Sequence, residues 1–350
     1  MQAFYEYQSM MAELLEIEVV NESMYDWASA LGEAALMCNR LNKKKKFLVP
    51  EIIHPDRYST LTAYTKNVGI EIEKVKYTEQ TGKLDLSDLR SKLDGEVSAV
   101  YLENPSYLGV IEDQVDEVSS LCQGRDSLFV VGVDPTSLGI IKPPGLYGAD
   151  IVIGEGQPFG SPLNFGGPLL GIFGCRDDKK MIRQLPGRLI GMTTTVDGEE
   201  RGFVMTLTSR EQHIKREKAT SNICTNEGLL TVAAAIYMSS LGKKGIVKLG
   251  QNIFYNTQYL IKRIKSVSKL SCPLFNSVHF KEFTVNLDGV GLSCEELQKR
   301  LLEKGLIVGK SLEKDFPALG KTMLLCTTEA HLKKDLDYLT DSLREVAGID

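Results

Sequence analysis

The strongest constraint on the fold is an alternation, between residues 47 and 175, of short apolar runs with polar segments of helix length. The apolar runs are FLVPEII, IEIEKVKY, VSAVYLE, LFVVGVD, ADIVIGEG and LLGIFGC. Strands that alternate with helices need right-handed crossovers, which give a mostly parallel sheet with helices on both faces. Ligands bind at the carboxyl ends of such strands, so the loops after Glu103, Asp134 and Gly154 are the first candidates for a site.

The C-terminal part of the sequence indicates a second, smaller α+β domain. Strands are predicted over 280–287, 305–309 and 322–327, and helices over 294–304 and 330–346. Ser293, followed by Glu296, is typical of a capping box at the start of the first of these helices. A helix over 226–241 and a hinge over 242–250 separate the parts, which predicts a large domain at 1–242 and a small one at 243–350.

The long polar stretch between residue 176 and the helix at 226 shows no clear period and is predicted to be irregular. An irregular stretch of this length in a compact chain is usually functional or forms an interface arm.

Composition excludes several classes of function. The formal charge of −5 gives no electrostatic footprint for nucleic acid or an anionic membrane. The longest apolar runs fall short of the roughly 20 residues that cross a bilayer, so a cytoplasmic protein is expected. The seven cysteines are scattered, without metal-ligand spacing to one another or to the four histidines, which favours buried free thiols and no metal site.

A large α/β domain followed by a small α+β domain suits an enzyme that uses pyridoxal 5'-phosphate (PLP). Such an enzyme needs an acid for the pyridinium nitrogen, a phosphate cup at a helix N-terminus and a lysine for the Schiff base. Asp134 follows a strand and could face the pyridinium nitrogen, or it could cap a turn. Ser23, Tyr25 and nearby backbone amides suit a phosphate cup, unless Asp26 is a plain helix cap. The Schiff-base lysine is expected between Lys142 and Lys179, where the sequence has no lysine.

Three long motifs resemble one family closely. They are NESMYD at 21–26, KPPGLYGADIVIGEGQPFGSPLNFGGPLLGIF at 142–173 and RGFVMTLTSREQHIKREKATSNICTNEGLL at 201–230. The chain resembles, over essentially its whole length, the glycine dehydrogenase (decarboxylating) P protein of the glycine cleavage system, in the split form and specifically subunit 1. The resemblance implies a fold-type I PLP-dependent transferase-like α/β fold.

The resemblance also implies where the missing lysine lies. Subunits 1 and 2 of this family look like diverged copies of one fold, and the Schiff-base lysine belongs to subunit 2. Alignment of the two copies places Gln157 and Pro158 where subunit 2 has His and Lys. Proline has no side-chain amine, so PLP is expected on the partner and no catalytic residue is expected on this chain.

The activity implied by the resemblance is decarboxylation of glycine, with transfer of the aminomethyl group to the lipoyl arm of the H protein. A heterotetramer with subunit 2 is the expected assembly. The polar residues of the matching motifs are the candidates for the interface with the partner's active site: Tyr25, Asp26, Asn104, Gln157, Arg210, His213, Thr220 and Asn222. In a diverged copy, such groups can instead satisfy buried backbone or polar atoms.

A basic run in the third motif has two interpretations. Its members are Arg210, Lys215, Arg216 and Lys218. The run could guide an acidic H protein, or it could be a solvated face that pairs with Glu211 and Glu217.

The sequence departs from the family at two places. Trp27 stands where the family usually has glycine, which argues against a retained phosphate site. The family also usually has a long segment before the helix that begins near Phe4, so the chain is expected to be N-terminally shortened.

Two alternatives therefore stay open. One is a pseudoenzyme that serves only as a scaffold, and the other is an autonomous PLP enzyme that uses another lysine, such as Lys142 or Lys218.

Overall fold

The computed structural model describes residues 1–223 and 226–348. The chain forms two compact units. The first comprises Met1–Lys76, Asp85–Asn104 and Asp113–Val247, and the second comprises Tyr77–Leu84, Pro105–Glu112 and the chain from Lys248 onward. The second unit thus includes two short segments from within the predicted large domain. The boundary at 242/243 stays a prediction.

The described residues contain ten α-helices and twelve strands. The helices are α1 Gln2–Leu15, α2 Trp27–Asn42, α3 Pro55–Thr65, α4 Leu86–Lys92, α5 Val115–Gln123, α6 Lys179–Gln184, α7 Gln212–Lys215, α8 Gly228–Lys265, α9 Cys294–Glu303 and α10 Lys333–Val346. The strands are β1 Val19–Val20, β2 Lys46–Pro50, β3 Glu71–Val75, β4 Val97–Glu103, β5 Leu128–Val133, β6 Ile151–Glu155, β7 Gly171–Cys175, β8 Leu189–Thr194, β9 Arg201–Thr206, β10 Glu282–Asn286, β11 Lys310–Ser311 and β12 Thr322–Cys326.

The first unit contains a seven-stranded sheet with the order β1-β7-β6-β5-β4-β2-β3. All six apolar runs form strands of this sheet. The pairs from β3 to β6 are parallel, and β7 pairs antiparallel with both β6 and β1. The predicted mostly parallel α/β fold is confirmed. Every residue of β4 is buried, as expected for a central strand that is covered on both faces.

Helix α2 packs against this sheet and supplies much of the core of the first unit. Its small apolar residues Ala30, Ala34, Ala35 and Cys38 are completely buried, in a cluster with strand residues such as Phe47 and Ile153. Small side chains let the helix approach the strands closely. The N-terminus of α2 is thereby fixed near the carboxyl ends of β4, β5 and β6.

The second unit contains a three-stranded antiparallel sheet, in the order β10-β12-β11, together with α9 and α10. Ser293 caps α9 by accepting a hydrogen bond from the Glu296 N–H at 3.1 Å, as the sequence predicts. The predicted strand over 305–309 is wrong. Gly305 and Gly309 have φ of 76° and 59°, which breaks an extended run, and the pairing strand is Lys310–Ser311.

The helix predicted to end at 241 does break there, because Gly242 is non-helical (φ 60°, ψ 179°), and a second helical run, included here in α8, extends from this kink to Lys265. A further prediction on secondary structure is wrong. The stretch predicted to be irregular contains an antiparallel hairpin, in which β8 pairs with β9 over six residues. Threonine and glycine obscure its alternation in the sequence.

Three sequence-based exclusions can be compared with the structure. No helix among the described residues is both long and apolar enough to span a membrane. No group of three or more potential ligand side chains that could hold a metal ion occurs within 1–223 and 226–348. Five of the six described cysteines are buried free thiols, and Cys326 is exposed. Cys224 lies outside the described residues.

Candidate functional site

The candidate site lies at the carboxyl ends of β4, β5 and β6, beside the N-terminus of α2. Glu103 ends β4, Asp134 follows β5, and Glu155 ends β6. Parallel strands bring these three acids to one edge of the sheet, as the sequence predicts for a site of this fold.

Four side chains form a buried network here, which we call the Trp27 cluster: Trp27, Arg57, Tyr101 and Glu103. The Trp27 indole, 7% exposed, donates its Nε1–H to the Tyr101 hydroxyl at 3.0 Å. The Tyr101 hydroxyl in turn donates to Glu103 Oε1 at 2.9 Å. The Arg57 guanidinium carbon lies 3.4 Å from the centroid of the Trp27 ring, and Arg57 Nη1 lies 2.9 Å from Glu103 Oε1. The ion pair is therefore covered by the indole.

Gly132 of β5 leaves the space that the Trp27 cluster fills. A Cβ at this position would lie 2.7 Å from Cζ2 of Trp27 and 2.5 Å from the Tyr101 hydroxyl oxygen. Burial of the phenol raises the pKa of Tyr101 well above its usual range, with Glu103 adding to the effect. The phenol therefore stays protonated, and its hydroxyl connects the two groups by accepting from the indole and donating to the carboxylate.

Glu155 binds three backbone amides. Its Oε1 accepts from the N–H groups of Gln157 at 3.0 Å and Leu170 at 2.8 Å, and its Oε2 accepts from the Trp27 N–H at 3.3 Å. The Trp27 amide is the first of α2, so a carboxylate of this chain occupies the position where a helix N-terminus favours an anion. Burial raises the pKa of Glu155, although these hydrogen bonds oppose the shift.

The two acids with alternative roles in the sequence both act as caps. Asp134 Oδ1 accepts from the Thr136 N–H at 2.9 Å and the Thr136 hydroxyl at 2.7 Å, at the start of the Pro135–Gly139 turn. Asp26 caps α2 by accepting from the Ser29 N–H at 2.7 Å. Of the two side chains that were phosphate candidates, Ser23 is completely buried and Tyr25 is exposed.

The remaining candidate residues fall into two groups. Four of them make internal hydrogen bonds. Asn104 bonds with the Tyr147 hydroxyl, and Gln157 Nε2 donates to the Ser161 carbonyl at 2.8 Å. Arg210 Nη2 donates to the Gly187 carbonyl at 3.0 Å, and the Arg210 carbonyl accepts from the Thr220 N–H at 3.1 Å. Tyr25, His213 and Asn222 are exposed. These three side chains are accessible to another molecule.

Within the first unit, two buried carboxylates near the N-terminus bind the segment that contains the third motif. The Ser221 hydroxyl donates to Glu33 Oε1 at 2.9 Å, and Asn226 Nδ2 donates to Glu22 Oε2 at 3.3 Å. Burial raises the pKa of Glu33 and of Glu22. The basic run lies in the same segment: Arg210 is buried, while Lys215, Arg216 and Lys218 are exposed.

The raised pKa of Glu33 predicts a pH-dependent stability. Folded Glu33 holds its proton more tightly than the unfolded chain does, so this contribution is lost as the pH rises from the ordinary pKa of 4.5 to the folded value. Over this range the wild type should lose stability while Glu33→Gln does not. The unfolding free energy of the variant relative to the wild type should therefore rise by about 1.4 kcal/mol for each unit of the pKa shift, and then level off. Urea unfolding at pH 4 to 8, followed by fluorescence of the single tryptophan, measures this difference. A flat or falling difference would contradict burial as the cause.

Sequence reasoning missed Arg57, Tyr101 and Glu155. The positions of Glu103 and Glu155 at strand ends were a usable signal, but nothing in the spacing of the sequence pairs Arg57 with Glu103 or Trp27 with Tyr101.

Comparison with solved structures identifies the class of fold. The chain superimposes on the sphingosine-1-phosphate lyase of Burkholderia pseudomallei with a TM-score of 0.73 at 14% identity, covering 99% of this chain and 76% of the other. A NifS-like protein gives a TM-score of 0.70 at 14% identity, covering 99% and 88%. The fold is therefore that of fold-type I PLP-dependent enzymes.

A family model described as "Glycine cleavage system P-protein" matches residues 1–343, and this chain belongs to that family. A crystal structure of glycine decarboxylase (P-protein) of the glycine cleavage system, in inhibitor-bound form, matches with a TM-score of 0.91 at 36% identity, covering 99% of this chain and 75% of the other.

Two relatives carry the name "Probable glycine dehydrogenase (decarboxylating) subunit 1". The one from Staphylothermus marinus is 49% identical over 347 residues, covering 99% of this chain and 74% of its own. The one from Pyrococcus furiosus is 48% identical over 348 residues, covering 99% and 76%.

Proposed function

We propose that this chain is subunit 1 of a glycine dehydrogenase (decarboxylating), and that it acts with a second subunit that binds PLP. The observation that carries the proposal is the family match over residues 1–343, supported by relatives of nearly half identical sequence with this name. The word "subunit" in those names supports a partner chain, and glycine is the substrate that the names indicate.

The residues of this chain do not fit PLP. At the expected position of the lysine stands Pro158. The Trp27 indole lies against Gly132 at the end of β5, and Glu155 already accepts the first amide of α2. These contacts support a cofactor that is bound by the partner subunit instead.

Bound to the partner, PLP would supply the electron withdrawal that decarboxylation of glycine needs. This chain contributes shape and polar surface. We place Tyr25, His213 and Asn222 at the entrance to the partner's active site, because they are the members of the candidate set whose side chains are exposed. Arg210 holds the segment that carries His213 and Asn222, because its Nη2 donates to the Gly187 carbonyl and its own carbonyl accepts from the Thr220 N–H.

The aminomethyl group then passes to the lipoyl arm of the H protein. The exposed cations Lys215, Arg216 and Lys218 could steer an acidic carrier toward this face. The expected assembly with subunit 2 is a heterotetramer. Buried free cysteines fit a reducing compartment, which supports the cytoplasm as the location.

The test is reconstitution. The purified chain, subunit 2 and lipoylated H protein are assayed, separately and mixed, for exchange of the glycine carboxyl group with labelled bicarbonate. The proposal predicts exchange in the full mixture at least about tenfold above that of the mixture without this chain. Exchange that does not rise when this chain is added would overturn it and favour a scaffold without activity.

A further inference from the structure

The loop that contains Pro158 is unusual in its composition. Residues 156–170, the 156–170 loop, read GQPFGSPLNFGGPLL and include no charged residue, whereas 25% of the whole chain is charged. Depletion of charge together with apolar side chains is typical of the core of a protein interface.

Hydrogen bonds close this loop at its base. The Gly156 N–H donates to the Leu170 carbonyl at 2.6 Å, and Glu155 Oε1 accepts from both ends of the loop, at Gln157 and Leu170. Within the loop, Gln157 Nε2 donates to the Ser161 carbonyl at 2.8 Å, and the Asn164 amide donates to the Pro168 carbonyl. The loop is therefore held in one shape before any partner arrives.

Two large apolar side chains project from the tip of this preformed loop. Leu163 is 80% exposed and Phe165 is 96% exposed. Phe165 also has φ of 49°, in the left-handed region that costs a residue with a Cβ on the order of 1 kcal/mol. In the free chain, both the backbone strain and the exposed aromatic ring are unfavourable. Insertion of the ring into an apolar pocket of a partner would offset them.

The loop packs on α8, which also has exposed apolar side chains. A Cβ at Gly160 would lie 3.1 Å from Tyr237 Cβ, and the Phe159 and Tyr237 rings stack with centroids 5.8 Å apart, which seats the loop on this helix. On α8, Leu229 and Ile236 are both exposed. They are seven residues apart and so lie on one side of the helix. Beside Ile236 is an open cavity of about 310 Å³, lined in part by Ala3 and Val232.

We propose that the 156–170 loop is the docking element for the PLP-binding subunit, with Phe165 and Leu163 as its anchors in an apolar pocket of that subunit. This inference rests on the proposed function. The partner is favoured over a second copy because the relatives are named as one of two different subunits. The two subunits also resemble diverged copies of one fold, and copies that pair about a pseudo-two-fold axis bring equivalent segments together. The family resemblance places the lysine of subunit 2 in its equivalent segment.

The experiment measures the dissociation constant of the complex with PLP-loaded subunit 2, by titration calorimetry. Phe165→Asn keeps a residue that tolerates the left-handed backbone and removes the ring. We expect it to weaken binding about 30-fold or more, the effect of losing one interface hot spot. Leu163→Ala with Phe165→Asn should weaken binding further. The unfolding temperature of both variants should equal or exceed that of the wild type.

Ile307→Ala is the matched control, because Ile307 is 94% exposed and lies in the second unit, outside the loop. It should bind as the wild type does. A double loop variant with wild-type affinity would overturn the loop assignment while leaving the proposed function intact. Absence of any complex with the wild-type chain would overturn both. Self-association of the chain that the loop variants abolish, with unchanged binding of subunit 2, would also overturn the assignment.

Discussion

Replacing Arg57 by alanine should lower the free energy of unfolding by about 3–5 kcal/mol, a large share of the 5–15 kcal/mol typical of a folded domain. The carboxylate of Glu103 has no exposed side-chain surface and lies 2.9 Å from Arg57 Nη1. Without the guanidinium, the buried carboxylate keeps the hydrogen bond from the Tyr101 hydroxyl but loses its ion pair. The variant also loses the stacking of Arg57 on Trp27. Urea unfolding monitored by tryptophan fluorescence provides the measurement.

The matched control for Arg57 is an exposed arginine in an ion pair. Arg90 Nη2 lies 3.7 Å from Glu117 Oε2, and more than half of each side chain is exposed. Arg90→Ala should therefore cost no more than about 1 kcal/mol. The double variant Arg57→Met with Glu103→Gln should cost less than Arg57→Ala, because it leaves no unpaired charge. Equal losses for Arg57→Ala and Arg90→Ala would show that the buried pair is not required.

Replacing Trp27 by alanine should cost a similar amount, about 3–5 kcal/mol. The indole is buried against Gly132 and covers the Arg57–Glu103 pair, so its removal leaves a cavity and admits water to the pair. Because Trp27 is the only tryptophan, unfolding of this variant must be followed by circular dichroism.

Trp27→Phe separates packing from the hydrogen bond. The smaller ring still covers Arg57 but cannot donate to Tyr101, so most of the loss in Trp27→Ala should be recovered. If Trp27→Ala unfolds at the same urea concentration as the wild type, the indole does not hold this edge of the sheet together.

The large sheet could be predicted from the sequence because parallel strands that are covered on both faces are continuous apolar runs, as in VSAVYLE at β4. The hairpin β8–β9 could not, because only part of it is buried and glycine and threonine obscure its period. The helix break at Gly242 could be predicted, because a glycine after an apolar helical run usually ends the helix. The second helical run, which extends to Lys265, was not predicted.

The candidate site was predictable in position and less so in chemistry. The pattern of strands predicted a site at the loops after Glu103, Asp134 and Gly154, and the structure places Glu103, Asp134 and Glu155 at that edge of the sheet. The sequence left open whether Asp26 and Asp134 act as caps. In the structure both side chains accept capping hydrogen bonds. The Trp27 cluster depends on contacts between residues up to 74 positions apart. The exposure of Phe165 likewise follows from how the loop closes, and not from the local sequence.

The central claim is that this chain takes part in glycine decarboxylation without holding the cofactor. Borohydride reduction of the active complex of this chain with PLP-loaded subunit 2, followed by peptide mapping, tests it most directly. We expect the phosphopyridoxyl group on a lysine of subunit 2 and on no lysine of this chain. Stoichiometric labelling of a lysine of this chain, such as Lys142 or Lys218, would contradict the account.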